Sequence, residues 1–227
     1  MGANVTALVD NRNFSALFRP GGTRGSTVVF AYRSTSAKGA GNTTESDEAL
    51  MRRYQRGDDR AFDQLYERHR ASLRRFVRRL SPEAIDNEEI AQETWMAVIH
   101  GRDRYRPQAR FVTYLFSIAR RRTMDRWRKL GRAPEVEPDS EELDRLVGPA
   151  SHEPESNAAT VALRADLMTA VASLPLLQRE AFLLRAEGNL TLEEIGQVTG
   201  ASRETAKSRL RYALNRLRIA LERWHEE

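Results

Sequence analysis

The amino-acid sequence predicts an all-α protein in which a flexible acidic linker joins two small helical domains. Apolar residues recur three and four positions apart through most of residues 46–130 and 158–227, which is the period of amphipathic helices. Between these domains, residues 131–157 are rich in proline and acidic residues, a composition typical of an extended linker. Residues 1–45 are rich in glycine, serine and threonine without a sustained period, so we expect a disordered extension there.

Composition favours a protein that binds a polyanion and argues against disulfide-bonded and membrane-spanning proteins. The chain has 37 basic and 32 acidic residues, and 34 of the basic ones are arginine, which binds phosphate and guanine edges through paired hydrogen bonds. The absence of cysteine excludes disulfides, thiol catalysis and cysteine-ligated zinc, and it fits the cytoplasm. No apolar run approaches the roughly 18 residues of a membrane span. We therefore expect a cytoplasmic protein that binds a polyanion.

Residues 46–130 are predicted to form three to four packed helices, enough for a small core. An apolar stripe over about five turns predicts the first long helix, which ends at Ser81-Pro82. The stripe consists of Phe62, Leu65, Tyr66, His69, Leu73, Phe76, Val77 and Leu80. Asp86, with a glutamate three residues later, predicts a capping-box-like start for a second helix that stops near Gly101. A third long helix is expected over about residues 109–130.

The C-terminal domain is expected to hold helices at residues 158–173 and 175–187, followed by a helix-turn-helix. Thr191, with a glutamate three residues later, predicts a capping box, and Gly200 predicts the end of that helix. Ser202 then caps a second helix, whose apolar stripe is Ala206, Leu210, Ala213, Leu214 and Leu217. An ordinary helical hairpin with a solvated charged face is the alternative, but capping, turn and apolar register all favour the helix-turn-helix.

The polar face of that second helix carries the side chains that we expect to enter a DNA major groove. They are Arg203, Glu204, Lys207, Ser208 and Arg211. Arginine can donate paired hydrogen bonds to guanine, and glutamate can accept a hydrogen bond from cytosine. Serine or lysine can bind phosphate.

A second candidate surface is acidic and lies opposite the apolar side of the helix that begins near Asp86. It consists of Asp86, Glu88, Glu89, Gln92 and Glu93. Carboxylates in this pattern favour docking of an arginine-rich partner. The alternatives are a solvated face near a helix N-terminus and a metal or acid–base carboxylate pair, but no histidine stands at ligand spacing.

A third candidate surface is basic and aromatic and lies on the helix predicted over residues 109–130. Cations there would bind a nucleic-acid backbone, and aromatic rings would stack on unpaired bases. The candidate residues are Tyr114, Arg120, Arg121, Arg122, Arg126, Trp127 and Arg128, together with Phe116, Lys129 and Arg132. The alternative is that the aromatic residues belong to the core and the arginines to a solvated end. The sequence contains no phosphate loop, nucleophile elbow or triad signature, so we expect no catalytic residue, metal or cofactor.

In combination, these motifs resemble the extracytoplasmic-function sigma factors of bacterial RNA polymerase. Residues 57–66, GDDRAFDQLY, look like the opening of sigma domain 2, and residues 86–95, DNEEIAQETW, look like the acidic region 2.2. Residues 114–121, YLFSIARR, resemble regions 2.3 and 2.4, and the segment from Leu174 through the helix-turn-helix resembles domain 4. The chain departs from the family where Tyr114 stands in place of a common tryptophan and Arg121 in place of asparagine. Gly196 also replaces a small alanine, which is expected to weaken its helix mildly.

The resemblance implies an alternative sigma factor rather than an enzyme, whose partners are core RNA polymerase and promoter DNA. Residues 46–130 would be sigma domain 2, which binds the β′ clamp coiled coil through the acidic face and melts the −10 element. Residues 158–227 would be sigma domain 4, which reads the −35 element, and the polymerase β subunit is a further implied contact. The linker, including Glu141 and Glu142, would thread through the polymerase interior. Family members are often held by an anti-sigma factor. A stand-alone helix-turn-helix regulator remains the alternative function, and a nucleic-acid enzyme is disfavoured.

Overall fold

The computed structural model describes residues 45–81, 86–131 and 157–222, and every regular element in those ranges is helical. The N-terminal domain contains α1 (Asp47–Gln55), α2 (Asp59–Leu80), α3 (Asn87–His100), a short 3-10 helix (Arg102–Arg104) and α4 (Phe111–Lys129). The C-terminal domain contains α5 (Asn157–Ser173), α6 (Leu176–Gly188), α7 (Leu192–Thr199) and α8 (Arg203–Ala220). The all-α prediction is confirmed. Most of the predicted N-terminal extension and acidic linker, with Glu141 and Glu142, lies outside the described residues.

The core of the N-terminal domain forms where α2 and α4 cross. Leu65, Leu73 and Phe76 of the predicted α2 stripe are fully buried, and the Phe76 ring packs edge-on against Phe116 of α4 with ring centroids 5.0 Å apart. The start of the stripe is less buried than the sequence predicts. Tyr66 is 38% exposed and packs its ring against Trp95 of α3 at the edge of the core.

Local capping determines where the helices of the C-terminal domain begin and end. The Thr191 hydroxyl accepts from the Glu194 amide while the Glu194 carboxylate accepts from the Thr191 amide, so the predicted capping box is confirmed. Gly200 ends α7 in the left-handed conformation, with φ of 72°, and the Ser202 hydroxyl caps α8. The helix-turn-helix is therefore formed as the sequence predicts.

Two of the local predictions for helix starts and stripes need correction. The Asp86 side chain makes no capping hydrogen bond to α3, because it faces Arg126 of α4 at 3.5 Å. In α8, Ala206, Ala213 and Leu217 are buried, whereas Leu210 and Leu214 are only half-buried and lie at the margin of the core.

The two helical domains pack against each other and share one hydrophobic cluster, which the sequence did not predict. Helix α6 lies along α2 and α4, and α7 also packs on α4. The contact is close at Gly188, where a Cβ atom would lie 3.4 Å from the Phe116 ring. A Cβ atom at Gly188 would lie only 2.4 Å from the Leu190 side chain, so the glycine allows Leu190 to pack back onto the last turn of α6.

Gly196 has a structural role inside the helix-turn-helix. Its carbonyl accepts from the Ala201 amide at 2.9 Å, and a Cβ atom at Gly196 would lie 2.7 Å from the Ala201 carbonyl oxygen. The glycine costs helix propensity, as the sequence analysis expects, but it allows the turn to fold back onto α7.

We therefore predict that Gly196→Ala destabilises the protein, although alanine is the better helix former. Alanine gains about 1 kcal/mol in propensity, whereas overpacking against backbone costs about 1–3 kcal/mol, so the net effect should be a loss of stability. Urea unfolding followed by circular dichroism measures this, with the exposed neighbour Gln197→Ala as the control, which should stay within about 0.5 kcal/mol of wild type. A more stable Gly196→Ala protein would contradict the steric argument.

Candidate nucleic-acid interface

The first candidate surface is the exposed face of α8. The Ser202 hydroxyl accepts from the Thr205 amide at 3.0 Å, which fixes the start of the helix. Arg203, Glu204, Lys207 and Arg211 are all exposed on its first turns, whereas Ser208 is half-buried and its hydroxyl donates to the Thr205 carbonyl at 2.9 Å. Four of the five predicted groove-facing side chains are thus open to solvent.

The charges on this face are paired with one another in the free chain. Arg203 donates to Glu193 of α7 and, at 2.7 Å, to Glu204, and Lys207 lies 3.6 Å from the same Glu204 carboxylate. All four side chains are more than half exposed, so water and salt screen these pairs. A phosphate or a guanine edge can therefore replace the carboxylates as the partner of Arg203.

The second candidate surface is the acidic face of α3. Glu88 and Glu89 are each 55% exposed, Gln92 is exposed, and Asp86 and Glu93 are more than a third exposed. The five side chains therefore form one solvent-facing strip along the outer side of the helix.

The acidic face borders the basic helix α4. Arg126 pairs with Glu89 at 2.6 Å and with Asp86 at 3.5 Å, and Arg122 lies 3.8 Å from Glu93. The sequence assigns these carboxylates and arginines to two different partners, and the structure places them side by side. Any partner that docks on one surface therefore changes the charge balance of the other.

Among the predicted basic and aromatic residues, the outer face of α4 presents Tyr114, Arg121, Arg122 and Arg128. Arg121 is 84% exposed, and within the described part of the chain both Arg121 and Arg128 pair with the neighbouring Asp125. Three others are engaged elsewhere: Phe116 is fully buried, the Trp127 indole donates to the Ser81 hydroxyl at 2.8 Å, and Arg120 pairs with Glu180 of α6. Phe116 is thus a core residue, which was the alternative reading of the sequence.

A cleft of about 670 Å³ opens between the end of α3, the following loop and the outer face of α4. Tyr105 and Tyr114 form an aromatic wall, with ring centroids 5.2 Å apart. Arg104, Arg106, Arg121, Arg122 and Asp125 also line it, together with the apolar Ala97 and Ile118. The volume falls in the usual range for small-ligand sites, about 300–1,000 Å³.

The walls of this cleft combine flat apolar rings with positive charge. Burial raises the pKa of Tyr105 to about 12 and raises the pKa of Tyr114 above its usual value, so both phenols stay neutral at physiological pH. Gly101 allows the Tyr114 hydroxyl to lie close to the end of α3, since a Cβ atom there would be 2.9 Å from it. Aromatic walls with surrounding guanidinium groups suit a planar base attached to a phosphate backbone.

The loop residues of this cleft are not among the side chains predicted from the sequence. Arg104, Tyr105 and Arg106 interleave basic and aromatic side chains directly after α3, which is a recognisable nucleic-acid-binding pattern. The loop has no helical period, whereas the arginines of the helix that follows it form a clear one. Only the packing of α3 against α4 brings the loop next to Tyr114 and Arg121.

Within the described ranges, no group of three or more histidine, aspartate or glutamate side chains is arranged to hold a metal ion. In the same ranges, every helix is too short or too polar to cross a membrane.

Comparison with known proteins follows the same division of the chain. Residues 65–133 match the family Sigma-70 region 2, and residues 170–218 match Sigma-70, region 4. The chain is 30% identical over 171 residues to the RNA polymerase sigma factor CarQ of Myxococcus xanthus, covering 75% of this chain and 95% of CarQ. It is 34% identical over 173 residues to the ECF RNA polymerase sigma factor RpoE of Cereibacter sphaeroides, covering 75% of this chain and 92% of that relative.

The fold is also similar to that of a solved sigma factor. The sigma factor RpoE of Bartonella quintana, crystallised in complex with the anti-sigma factor NepR, aligns over 70% of this chain and 96% of its own with a TM-score of 0.53 and 28% identity.

Proposed function

The chain belongs to the sigma-70 family as an extracytoplasmic-function RNA polymerase sigma factor, and we propose that it recognises promoters through two DNA surfaces. In this proposal it binds core RNA polymerase, reads the −35 element with α8, and melts the −10 element by capturing unstacked bases. The observation that carries the proposal is the presence of a capped, exposed recognition helix and a basic aromatic cleft in one chain. The residues supply binding and no catalytic group, and the protein acts in the cytoplasm with the polymerase.

The domain assignment follows from these roles. Residues 46–130 act as sigma domain 2 and residues 158–227 as sigma domain 4, joined by the linker at 131–157. The acidic face of α3 docks on the β′ clamp coiled coil, because exposed carboxylates in a row complement a basic partner. Domain 4 contacts the β subunit when the holoenzyme forms.

The cleft supports a specific route to promoter melting. A base that leaves the stack would lie against Tyr114, whose ring packs on the buried Tyr105, while Arg121 and Arg122 would hold the flanking phosphates. Capture of the flipped base compensates for the cost of unstacking, so the chain needs no energy source for melting. In the proposal Arg128 extends this surface along α4, and Arg126 and Trp127 would join it after release from Glu89 and Ser81, their partners in the free chain.

An anti-sigma factor is a further proposed partner. The similar sigma factor of Bartonella quintana was crystallised with one, and this chain has two exposed charged surfaces that a regulator could cover. Co-purification from the native cell would identify such a partner.

Run-off transcription with purified core polymerase tests the proposal as a whole. Addition of this chain should confer initiation on its promoters, whereas a stand-alone helix-turn-helix regulator would be active only with another sigma factor present. Dependence on a second sigma factor would favour the regulator.

For the acidic face, we expect Glu88→Arg combined with Glu89→Arg to weaken binding to core polymerase while the fold persists. Both side chains are more than half exposed, so their removal leaves the core intact. Asp103→Arg combined with Glu222→Arg is the matched control, because it makes the same charge change at exposed carboxylates outside the acidic face. Unchanged affinity of the first variant in fluorescence titration with core polymerase would remove the docking role.

For the cleft, we expect Tyr114→Ala to slow open-complex formation on a duplex promoter and to have much less effect on a promoter with a pre-melted −10 region. The reason is that a stacking contact worth about 1–3 kcal/mol per base is needed mainly to drive melting. Permanganate footprinting measures melting, and Tyr66→Ala is the control for an exposed aromatic ring outside the cleft. Equal defects on both templates would show that Tyr114 does not act by base capture.

For the recognition helix, we expect Arg203→Ala, Lys207→Ala and Arg211→Ala each to reduce transcription from promoters with an intact −35 element without unfolding the domain. A bidentate base contact contributes about 1–3 kcal/mol of discrimination between promoter sequences. Loss of a phosphate contact, by contrast, weakens binding to all sequences alike. Leu210→Ala is the contrasting variant: because Leu210 packs on the margin of the core, it should lower thermal stability instead. Wild-type transcription by all three basic variants would contradict the assignment.

A further inference from the structure

Helix α1 packs against both segments that build the cleft, the loop between α3 and α4 and the helix α4 itself. Glu48 and Gln55 lie seven residues apart, on one face of α1, and the fully buried Met51 lies between them. The helix precedes residues 65–133, which match Sigma-70 region 2. Its contacts with the cleft therefore have to be interpreted from the structure.

Gln55, the last residue of α1, holds the loop through its side chain. Its Nε2 atom donates to the carbonyl of Arg102 at 2.8 Å and to the carbonyl of Tyr105 at 3.0 Å. The two carbonyls lie at the start of the short 3-10 helix and directly after its end. Because both carbonyls can only accept hydrogen bonds, this position needs a side chain with two donors, which a glutamine amide supplies.

Two further contacts tie α1 to the cleft segments. The Arg102 guanidinium lies over the Tyr54 ring, 5.2 Å from its centroid. A Glu48 carboxylate oxygen accepts from the Phe111 amide, the first N–H group of α4, at 2.8 Å. The N-cap residue of α4, Arg110, makes no side-chain capping bond. Glu48 thus caps α4 from another helix, and its negative charge suits a helix N-terminus.

Tyr105 transmits the position of the loop to the cleft. It is 4% exposed, and its ring packs edge-on against Tyr114 with centroids 5.2 Å apart. Its hydroxyl has no hydrogen-bond partner in the described part of the chain, so its fixed polar contact is the backbone carbonyl that Gln55 holds. Arg104 and Arg106, on either side of it, line the cleft. A shift of this carbonyl would therefore move the support of Tyr114 and both arginines together.

Helix α1 is itself anchored on α2. The Asp47 carboxylate accepts from Arg68 at 2.8 Å and lies 2.7 Å from Nε2 of His69. Both partners belong to the long helix that forms the centre of the domain core. The loop is thus connected through α1 to the most rigid part of the domain.

We propose that α1 positions the cleft, in that Gln55 fixes the loop and Glu48 fixes the first turn of α4 in the shape that receives an unstacked base. The inference rests on the proposed role of the cleft in promoter melting. Neither side chain lines the cleft, so both are positioning residues that act through Tyr105 and α4. A loop that is already ordered loses little conformational freedom when the base binds, so more of the stacking energy remains for melting.

Hydrogen–deuterium exchange of the full chain tests the positioning without DNA. Gln55→Met keeps the length of the side chain and removes both donors. It should speed exchange of the Arg104 and Tyr105 amides, which donate to the Gly101 carbonyl, by about 5-fold or more, the equivalent of one lost hydrogen bond. Exchange in the core of α2 should stay at the wild-type rate. Gln64→Met, the same change at an exposed glutamine of α2, is the matched control.

Glu48→Ala is a second variant, which keeps the test decisive if the first one folds poorly. It removes the cap supplied by α1 and should speed exchange of the Phe111 amide. Glu67→Ala, at an exposed glutamate of α2, is its control. Wild-type exchange of the loop and of the first turn of α4 in both folded variants would overturn the positioning role.

Open-complex formation by the reconstituted holoenzyme tests the consequence for melting. Gln55→Met should slow it on a duplex promoter by about 5-fold or more, the lower limit for the stacking of one base, and should have much less effect when the −10 region is pre-melted. Affinity for core polymerase should be unchanged. Equal slowing on both templates would show a general structural defect and would overturn the role in melting.

A double-mutant cycle separates this inference from the proposed function. If Gln55 acts through the cleft, Gln55→Met should add little to the defect of Tyr114→Ala on the duplex promoter, because both changes affect one contact. Full additivity would overturn the action through the cleft. An absence of any defect in Tyr114→Ala would instead remove base capture itself, and the exchange measurement would then decide alone whether α1 holds the loop.

Discussion

The burial of Phe116 is the constraint on which the rest of the structure depends. Its ring contacts Phe76 at the centre of the N-terminal domain and also lies beside Gly188 of α6. The inner side of α4 is therefore buried against both domains. The side chains that remain for contact with other molecules must lie on its outer side, which is where Tyr114, Arg121 and Arg122 meet the loop after α3 to form the cleft. A core contact thereby decides which part of a strongly basic helix is available for binding.

The charged residues form two classes that differ in burial. Pairs on the surface, such as Arg126 with Glu89 and Arg203 with Glu193, lie in water and exchange partners at little cost. Pairs between the two domains, such as Arg75 with Glu187, are largely shielded from water and form only where the domains are in contact. A sigma factor must give its surfaces to DNA and polymerase in turn, and the first class suits that exchange. The second class joins the N-terminal and C-terminal domains.

The two family matches coincide with the two regions that contain the candidate binding surfaces. The regions that match Sigma-70 region 2 and region 4 contain, respectively, the acidic face with the aromatic cleft and the helix-turn-helix. The cleft also shows how this chain departs from the pattern that its sequence resembles. Tyr114 takes a position where tryptophan is common, and its ring is held beside Tyr105, so the aromatic wall is built from two phenols.

The sequence by itself determined the helices, the helix-turn-helix and the exposed face of α8. These features depend on interactions within about four residues along the chain: the Thr191 capping box, the left-handed Gly200 and the Ser202 cap all form as predicted. Tertiary structure alone decided which charges meet. Asp86 pairs with Arg126 instead of capping α3, and Arg120 pairs with Glu180. The loop that contains Tyr105 lines the cleft. Such pairings join residues tens of positions apart, so they depend on how helices cross and which side chains lose water there, and no local pattern in the sequence encodes that geometry.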